Sequence, residues 1–261
     1  LNKLSGLSGI GVNHIANDEP QKILIIGYRD GTIDFLEDGT ITNLETLKTT
    51  TSITGSRSIN HIAVAGKMAY ASTDFGVVAI DIEKKEIRET WRDLGVAGQT
   101  IRVYQSAILK DSIFLATEKG IWCGSLTTNL LDFNNWKKFD KGEFSSGVKT
   151  ITVFNNNIYT AVDGSGIFRK QNNSWIKESF LQNLTYTNLK GTDSKLFLCS
   201  TSTLWQVDAQ NQLTEIKGAE LTHHNDVLEK GENLFIGDDT KGILLRSSAN
   251  SMVSFITSGP Q

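Results

Sequence analysis

The chain has 261 residues, of which 39% are hydrophobic and 21% charged, and its formal net charge is −3. This is an ordinary composition for a globular protein, with enough chain to bury a core. The slightly acidic balance gives no electrostatic reason to expect nucleic acid or an anionic membrane as partner. The lack of any apolar run of about 18 residues argues against a helical membrane span.

The chain opens on Leu1, so it reads as a processed or cut piece, and no leader peptide is visible in it. LNKL, at residues 1–4, has the look of an outer strand ending an earlier unit. A first unit follows: VNHIA, then ILIIGY around Ile25, a turn at Gly31, TIDFL and ITNL. A polar connection, TLKTTTSITGSRS, leads from Thr46 to Ser58. The second unit repeats the order with INHIAV, AYAST around Tyr70, Gly76, VVAIDI and IRETW. Its DIEKKEIRETW stretch could pass for a short helix, but its place in the repeat predicts a hairpin. The third unit runs YQSAIL, IFLAT around Phe114, Gly120 and IWCGSL, and an irregular segment, LTTNLLDFNNWKKFDKGEFSSG, carries its WKKF. The fourth has VKTITVF, IYTAV around Tyr159, Gly166, IFRK and WIKES. The fifth has LFLCS around Phe197, Thr203 where the others have glycine, LWQVD and TEIK. The sixth has LTHHNDVL, LFIGD around Phe235, Gly242, ILLR and VSFI.

The six central residues are 45, 44, 45, 38 and 38 positions apart. Each unit reads as four short strands, rich in Ile, Val, Phe and Tyr and bounded by Gly, Asn, Asp and Ser. Four-strand units at this period predict an all-β fold, a β-propeller with six four-stranded blades. The expected blades are 9–47, 57–92, 101–140, 147–179, 184–218 and 221–257, in one propeller domain covering 1–261. Because the units run in phase from innermost to outermost strand, a seventh blade is expected outside the chain. Tyr70, Phe114, Tyr159, Phe197 and Phe235 are expected between blades.

Candidate chemistry is sparse. Cys123 and Cys199 lie in apolar runs without partners at metal-ligand spacing, and read as buried, inert thiols. His223 and His224 are neighbours on a strand and point to opposite faces, so they do not readily share a metal; channel lining or surface is the expected role. With Asp226 they give the only hint of an enzyme. His14 and His61 recur in matching NHIA runs, which predicts bonding between adjacent inner strands. Acidic turns such as TDFG and VDGSG fit neither a calcium loop nor a phosphate loop; Asp and Gly are what hairpins select. Trp91, Trp136 and Trp175 are expected to pack between blades. Arg57, Trp136, Lys137, Lys138, His223 and His224 are the candidate binding residues, with the segments 46–58 and 126–147 as candidate binding loops. No catalytic residue, metal or cofactor is expected.

GLSGIGVNHIAND, ILIIGYRDGTIDFLEDGTITNL, SRSINHIAVAGKMAYASTDFGVVAIDIEKKEI and LLDFNNW together resemble the first propeller of PorZ-type proteins, surface-associated components of the type IX secretion system of Bacteroidota. GLSGIGVNHI and ATEKGIW are more distantly similar to the repeats of periplasmic two-component regulator propellers. The first resemblance implies an exported, non-catalytic scaffold, in the periplasm or at the cell surface. Its implied partners are proteins that process cargo and attach it to anionic lipopolysaccharide, or a surface glycan. It also implies a second propeller and a small C-terminal domain beyond this chain. The second resemblance implies a ligand-sensing module.

Overall fold

Short runs of β-branched and aromatic residues, punctuated by Gly and Asn, fold here as short antiparallel strands. The computed structural model describes residues 6–9, 11–95, 99–180, 183–217, 224–239, 241–247 and 254–256. The described residues form six four-stranded sheets: blade 1 at 12–44, blade 2 at 59–91, blade 3 at 103–139, blade 4 at 150–177, blade 5 at 186–215 and blade 6 at 224–256. Each is a meander in which consecutive strands pair antiparallel. Helix among these residues is confined to one turn, Thr46–Thr49, and two short 3-10 turns. The DIEKKEIRETW stretch is a hairpin between Gly76–Asp81 and Glu86–Trp91. The chain divides into two compact units, 1–148 with blades 1 to 3 and 149–261 with blades 4 to 6.

The repeat is exact in register. Ile25, Tyr70, Phe114, Tyr159, Phe197 and Phe235 are each the third residue of a six-residue second strand. Strand alternation therefore sends all six to the same face of their blades. That face packs on the next blade within each unit. Ile25, Ile33 and Phe35 of blade 1 meet Ile59, Ile62, Ala71 and Val78 of blade 2. Tyr70, Val77 and Ala79 of blade 2 meet Val103, Ile113, Leu115 and Trp122 of blade 3. In the second unit Tyr159, Ala161 and Ile167 of blade 4 meet Tyr186, Leu189 and Leu198 of blade 5. Phe197, Cys199 and Leu204 of blade 5 meet Val227, Ile236 and Leu244 of blade 6. Each fully buried Val, Leu, Ile or Phe among them contributes roughly 1.5–3 kcal/mol. Cys199 lies inside the last core, where burial pushes its thiol well above the ordinary range and leaves it unreactive. Cys123 is only half-buried, short of the full burial expected for it.

Two blade faces lack this cover. Ile15 is 53% exposed, whereas its register equivalents Ile62, Leu189 and Val227 are at most 3% exposed. Ile243 of blade 6 is 45% exposed, while Ile33, Val77, Ile121, Ile167 and Leu204 at the same place are buried. Leu228, on that same face of blade 6, is 58% exposed, and Phe235 beside it is half-buried.

Within each unit the innermost strands of successive blades are joined by a repeated polar seam. In blades 1, 2, 3, 5 and 6 the second residue of the first strand is skipped in the pairing, a β-bulge. The bulged side chain turns to the next blade: Asn13 Nδ2 donates to the Ile59 carbonyl at 2.8 Å, Asn60 Nδ2 to Val103 at 2.9 Å, and Thr187 Oγ1 to His224. The following residue accepts a backbone N–H from that blade. His14 Nδ1 takes Ile62 N at 3.2 Å and His61 Nδ1 takes Ser106 N at 3.4 Å. Thr150 Oγ1 does the same for Leu189 N at 2.9 Å. The recurring histidines are thus the inner-strand links that their spacing predicts.

Turns between second and third strands also repeat. Thr117 Oγ1 donates to the Gly120 carbonyl and accepts from Lys119 N, and Thr73 does the same with Gly76 and Phe75. In blade 5 Ser200 builds the turn with Thr203, which has no left-handed backbone and needs no glycine. Gly120 has φ +116, and a Cβ there would lie 2.4 Å from the Phe139 carbonyl oxygen. Gly120→Ala should cost about 2–3 kcal/mol through combined strain and clash, read as a drop in the urea midpoint at constant slope; a loss below about 0.5 kcal/mol would contradict this geometry.

Candidate binding surface at the sheet ends

Up-and-down pairing sorts the connections to two ends of each blade. In the first unit one end carries the turns after the second strands and the crossings between blades, 45–58, 92–102 and 140–149. The other end carries the turns after first and third strands, including 126–135. The segment 126–147, expected as one loop, is therefore split by the strand Trp136–Phe139, and its two halves lie at opposite ends of blade 3. The two suspected loops, 46–58 and 126–135, do not form one surface, because strand direction reverses between them.

At the first end the loops are tied into a continuous rim. Arg57 Nη2 donates to the carbonyls of Thr50 at 2.8 Å and Ile53 at 2.9 Å, while Ile53 is buried as the loop's plug. Arg92 Nη2 holds the Ser52 carbonyl from the next crossing. Arg57 thus secures its own loop, whose tip exposes Thr51, Ser52, Thr54, Gly55 and Ser56 beyond the exposed Thr46, Lys48 and Thr49 of the helical turn. Arg102 pairs with Asp74 at 2.7 Å, and Asn60 Nδ2 donates to the same carboxylate at 2.9 Å. Glu118 N bonds the Arg102 carbonyl, and Val148 N bonds that of Thr117.

The acidic turn residues have a role that the sequence did not disclose. Asp74 binds Asn60, Asp163 binds Lys149 at 3.1 Å, and Asp239 binds Asn225, in each case across one hairpin to the start of the inner strand. Burial alone would raise the Asp74 carboxyl. Hydrogen bonds from Ser56, Asn60 and Arg102, with the Arg102 charge, outweigh it and hold the group below its ordinary 3.8. Its folded value being the lower one, Asp74 stabilises the fold above the ordinary carboxylate range and loses that contribution as pH falls through the folded value. Melting temperatures from pH 6 to pH 3 should therefore fall more steeply for the native chain than for Asp74→Asn; parallel curves would contradict this assignment.

At the opposite end, Trp136 is buried and stacks edge-on with Trp91 at 5.7 Å, so it anchors the 126–135 loop from below. Trp91 packs between blades as expected, whereas Trp175 is partly exposed. Lys137 is exposed. Lys138, half-buried, holds its Nζ 5.7 Å from the Trp122 ring centroid and 5.9 Å from that of Phe133.

In the second unit His224 is fully buried, and its Nδ1 donates to the Ser200 carbonyl at 2.9 Å. The expectation of channel lining or surface does not hold for it: the ring fills a place that Ile59, Val103 and Tyr186 fill in other blades, out of reach of a partner. His223 lies outside the described residues. A groove of about 250 Å³ runs between blades 5 and 6, lined by Lys195, Gln206, Glu215, Glu229 and Arg246. Its Lys195 and Glu229 are already paired with each other. It is smaller than the roughly 300–1,000 Å³ of typical ligand pockets. Among the described residues there is no cluster of three or more His, Cys, Asp or Glu able to hold a metal, and no helix long and apolar enough to cross a membrane.

One buried carboxylate stood unnoticed in TIDFL. Asp34, fully buried on blade 1, accepts from Ser8 N at 2.8 Å, Ser8 Oγ, Tyr28 OH at 2.7 Å and Asn43 Nδ2 at 2.7 Å. Register equivalents are apolar: Val78, Trp122, Phe168, Trp205 and Leu244. Burial, then the bond and charge of Asp34, raise the Tyr28 hydroxyl far above its usual range, so it remains a donor. Asp34 therefore latches the GLSG segment to blade 1.

Six meander sheets in one register, packed face to face within each unit and joined by seams along their inner strands, define the class: this is a β-propeller protein. The model of the type IX secretion (TSS9) PorZ N-terminal β-propeller domain matches residues 1–137, just over half of the 261, and the chain belongs to that family. Among solved structures it is similar to PorZ, an essential bacterial surface component of the type IX secretion system of Porphyromonas gingivalis, with TM-score 0.81 and 22% identity over 99% of this chain and 34% of that one. It is also similar to the extracellular domains of the putative hybrid two-component systems BT3049 and BT4673 of B. thetaiotaomicron. Each has TM-score 0.73 and 15% identity; coverage is 100% of this chain and 36% of that chain for the first, 97% and 34% for the second. The chain spans about a third of the length of these proteins. No curated protein matches it significantly.

Proposed function

We propose that this chain is a non-catalytic binding module of an exported, surface-associated type IX secretion component, which displays loops to protein partners of a secretion and attachment complex. The observation that carries this reading is the PorZ family match over 1–137, extended by similarity to the P. gingivalis protein along 99% of the chain. The loops are suited to the task because they are fixed by internal hydrogen bonds and so lose little entropy on binding. Of the candidate residues, Lys137 is exposed and Lys138 and Arg57 are partly exposed, so these could face a partner, Arg57 while also bonding its own loop; Trp136 is buried and supports its loop. A surface glycan, lipopolysaccharide included, is the second candidate ligand. The exposed faces at Ile15 and at Leu228 and Ile243 support a further blade, supplied by sequence outside these 261 residues, as their cover.

The test uses the parent protein in its own cells, with residues 46–58 or 126–135 exchanged for short Gly/Asn turns. Affinity isolation should then recover fewer type IX components at equal protein level. Undiminished recovery from both exchanges would overturn the reading. A sensory role is favoured by the similarity to the regulators' extracellular domains; a kinase domain encoded downstream would decide for it.

A further inference from the structure

The inner seam performs one task with two chemistries. In blade 4 the next blade's N–H is accepted by the Thr150 hydroxyl, which does not titrate in the ordinary pH range. In blades 1 and 2 it is accepted by an imidazole: Ile62 N donates to His14 Nδ1 at 3.2 Å, and Ser106 N to His61 Nδ1 at 3.4 Å. A ring nitrogen that accepts carries no proton, so both half-buried rings are neutral, with their proton on Nε2. Acid adds a hydrogen to Nδ1 and aims it at an N–H, donor against donor. The two rings also lie against each other, centroids 4.4 Å apart and planes tilted by 53°. Protonating both sets two like charges side by side.

Within the first unit, the strands packed about the pair offer little to offset such charges. Val12–Asp18, Ile23–Tyr28, Ile59–Ala65, Met68–Thr73 and Val103–Leu109 hold one carboxylate, Asp18, at the far end of the first strand and bonded to Gln21. Their other titratable groups are the phenols of Tyr28, Tyr70 and Tyr104. At the adjoining turns Arg29 is a further cation, Asp30 is paired with Lys48, and Asp74 with Arg102. We infer that His14 and His61 make the inner seam of the first unit an acid-sensitive joint, closed while both rings are neutral and opened by proton uptake. In the open seam each ring titrates near the ordinary histidine value of about 6.5, whereas the closed seam rejects the proton. The seam is therefore at full strength above that value and weakens as pH falls below it. At pH 5.0 one such ring shifts the opening equilibrium about thirtyfold.

Hydrogen exchange of the parent protein tests this between pH 7.5 and pH 5.0, above the range in which Asp74 acts. It is read by mass spectrometry on peptides spanning Ile62 and Ser106, corrected for the intrinsic effect of pH on exchange. Protection should fall at least tenfold in both peptides. In the double variant His14→Asn with His61→Asn, the Oδ1 atoms accept the same N–H groups without titrating, and protection should change less than threefold. Unchanged protection in the native protein would overturn the joint, and so would a fall that the double variant reproduces. If the double variant does not fold, either single substitution should shrink the fall; a fall undiminished in both singles would overturn it equally.

Discussion

Asp34→Ala is expected to destabilise the first unit by about 2–3 kcal/mol, the scale for leaving buried neutral donors without their acceptor. The carboxylate is the common acceptor for Ser8, Tyr28 and Asn43. Removing it strands the buried Tyr28 hydroxyl and the half-buried Ser8 N–H, while the exposed Asn43 amide keeps its bonds to the Gly6 carbonyl and Ser8 Oγ. Asp34→Asn should cost less, since one amide oxygen still accepts, yet its NH₂ then faces donors. Urea unfolding followed by circular dichroism measures both. Limited proteolysis near Ser8 should accelerate in parallel, because the GLSG segment loses its latch. A loss under about 1 kcal/mol for Asp34→Ala would show that the cluster is not the restraint described.

The second large effect is a contrast between equivalent residues. Phe197 and Phe235 hold the same register in blades 5 and 6, but Phe197 is covered by blade 6, whereas Phe235 shares an exposed face with Leu228. Phe197→Ala should cost about 3–5 kcal/mol, the usual range for a buried Phe. Phe235→Ala, in this chain, should cost about 1 kcal/mol, because little apolar area and no closed cavity is at stake. Equal losses would mean that cover by the neighbouring blade does not set the energetics.

What the sequence disclosed and what it hid divide along a physical line. Hairpins are local, and their period brought the six central residues into register correctly. Recurrence of NHIA exposed the His14 and His61 links, because a seam repeated blade by blade leaves a repeated residue. Asp34 escaped notice because its donors come from positions 8, 28 and 43, with no local spacing to mark them. Arg57, a candidate for a partner's surface, also donates to carbonyls of its own loop, a closure that only the three-dimensional structure reveals. His224 read as a channel-lining or surface residue, whereas strand alternation carries it into the core. The 126–147 segment reads as one connection even though it carries WKKF; only the paired sheet shows that this four-residue strand sends its two halves to opposite ends of blade 3.

The most direct test of blade-on-blade packing is the cost of Phe235→Ala measured in the full-length parent protein. The further blade proposed to cover that face should raise the cost from about 1 kcal/mol to the 3–5 kcal/mol expected for Phe197→Ala. If Phe235→Ala stays cheap there while Phe197→Ala remains costly, the face has no such cover, and the propeller account of this chain is contradicted at its edge.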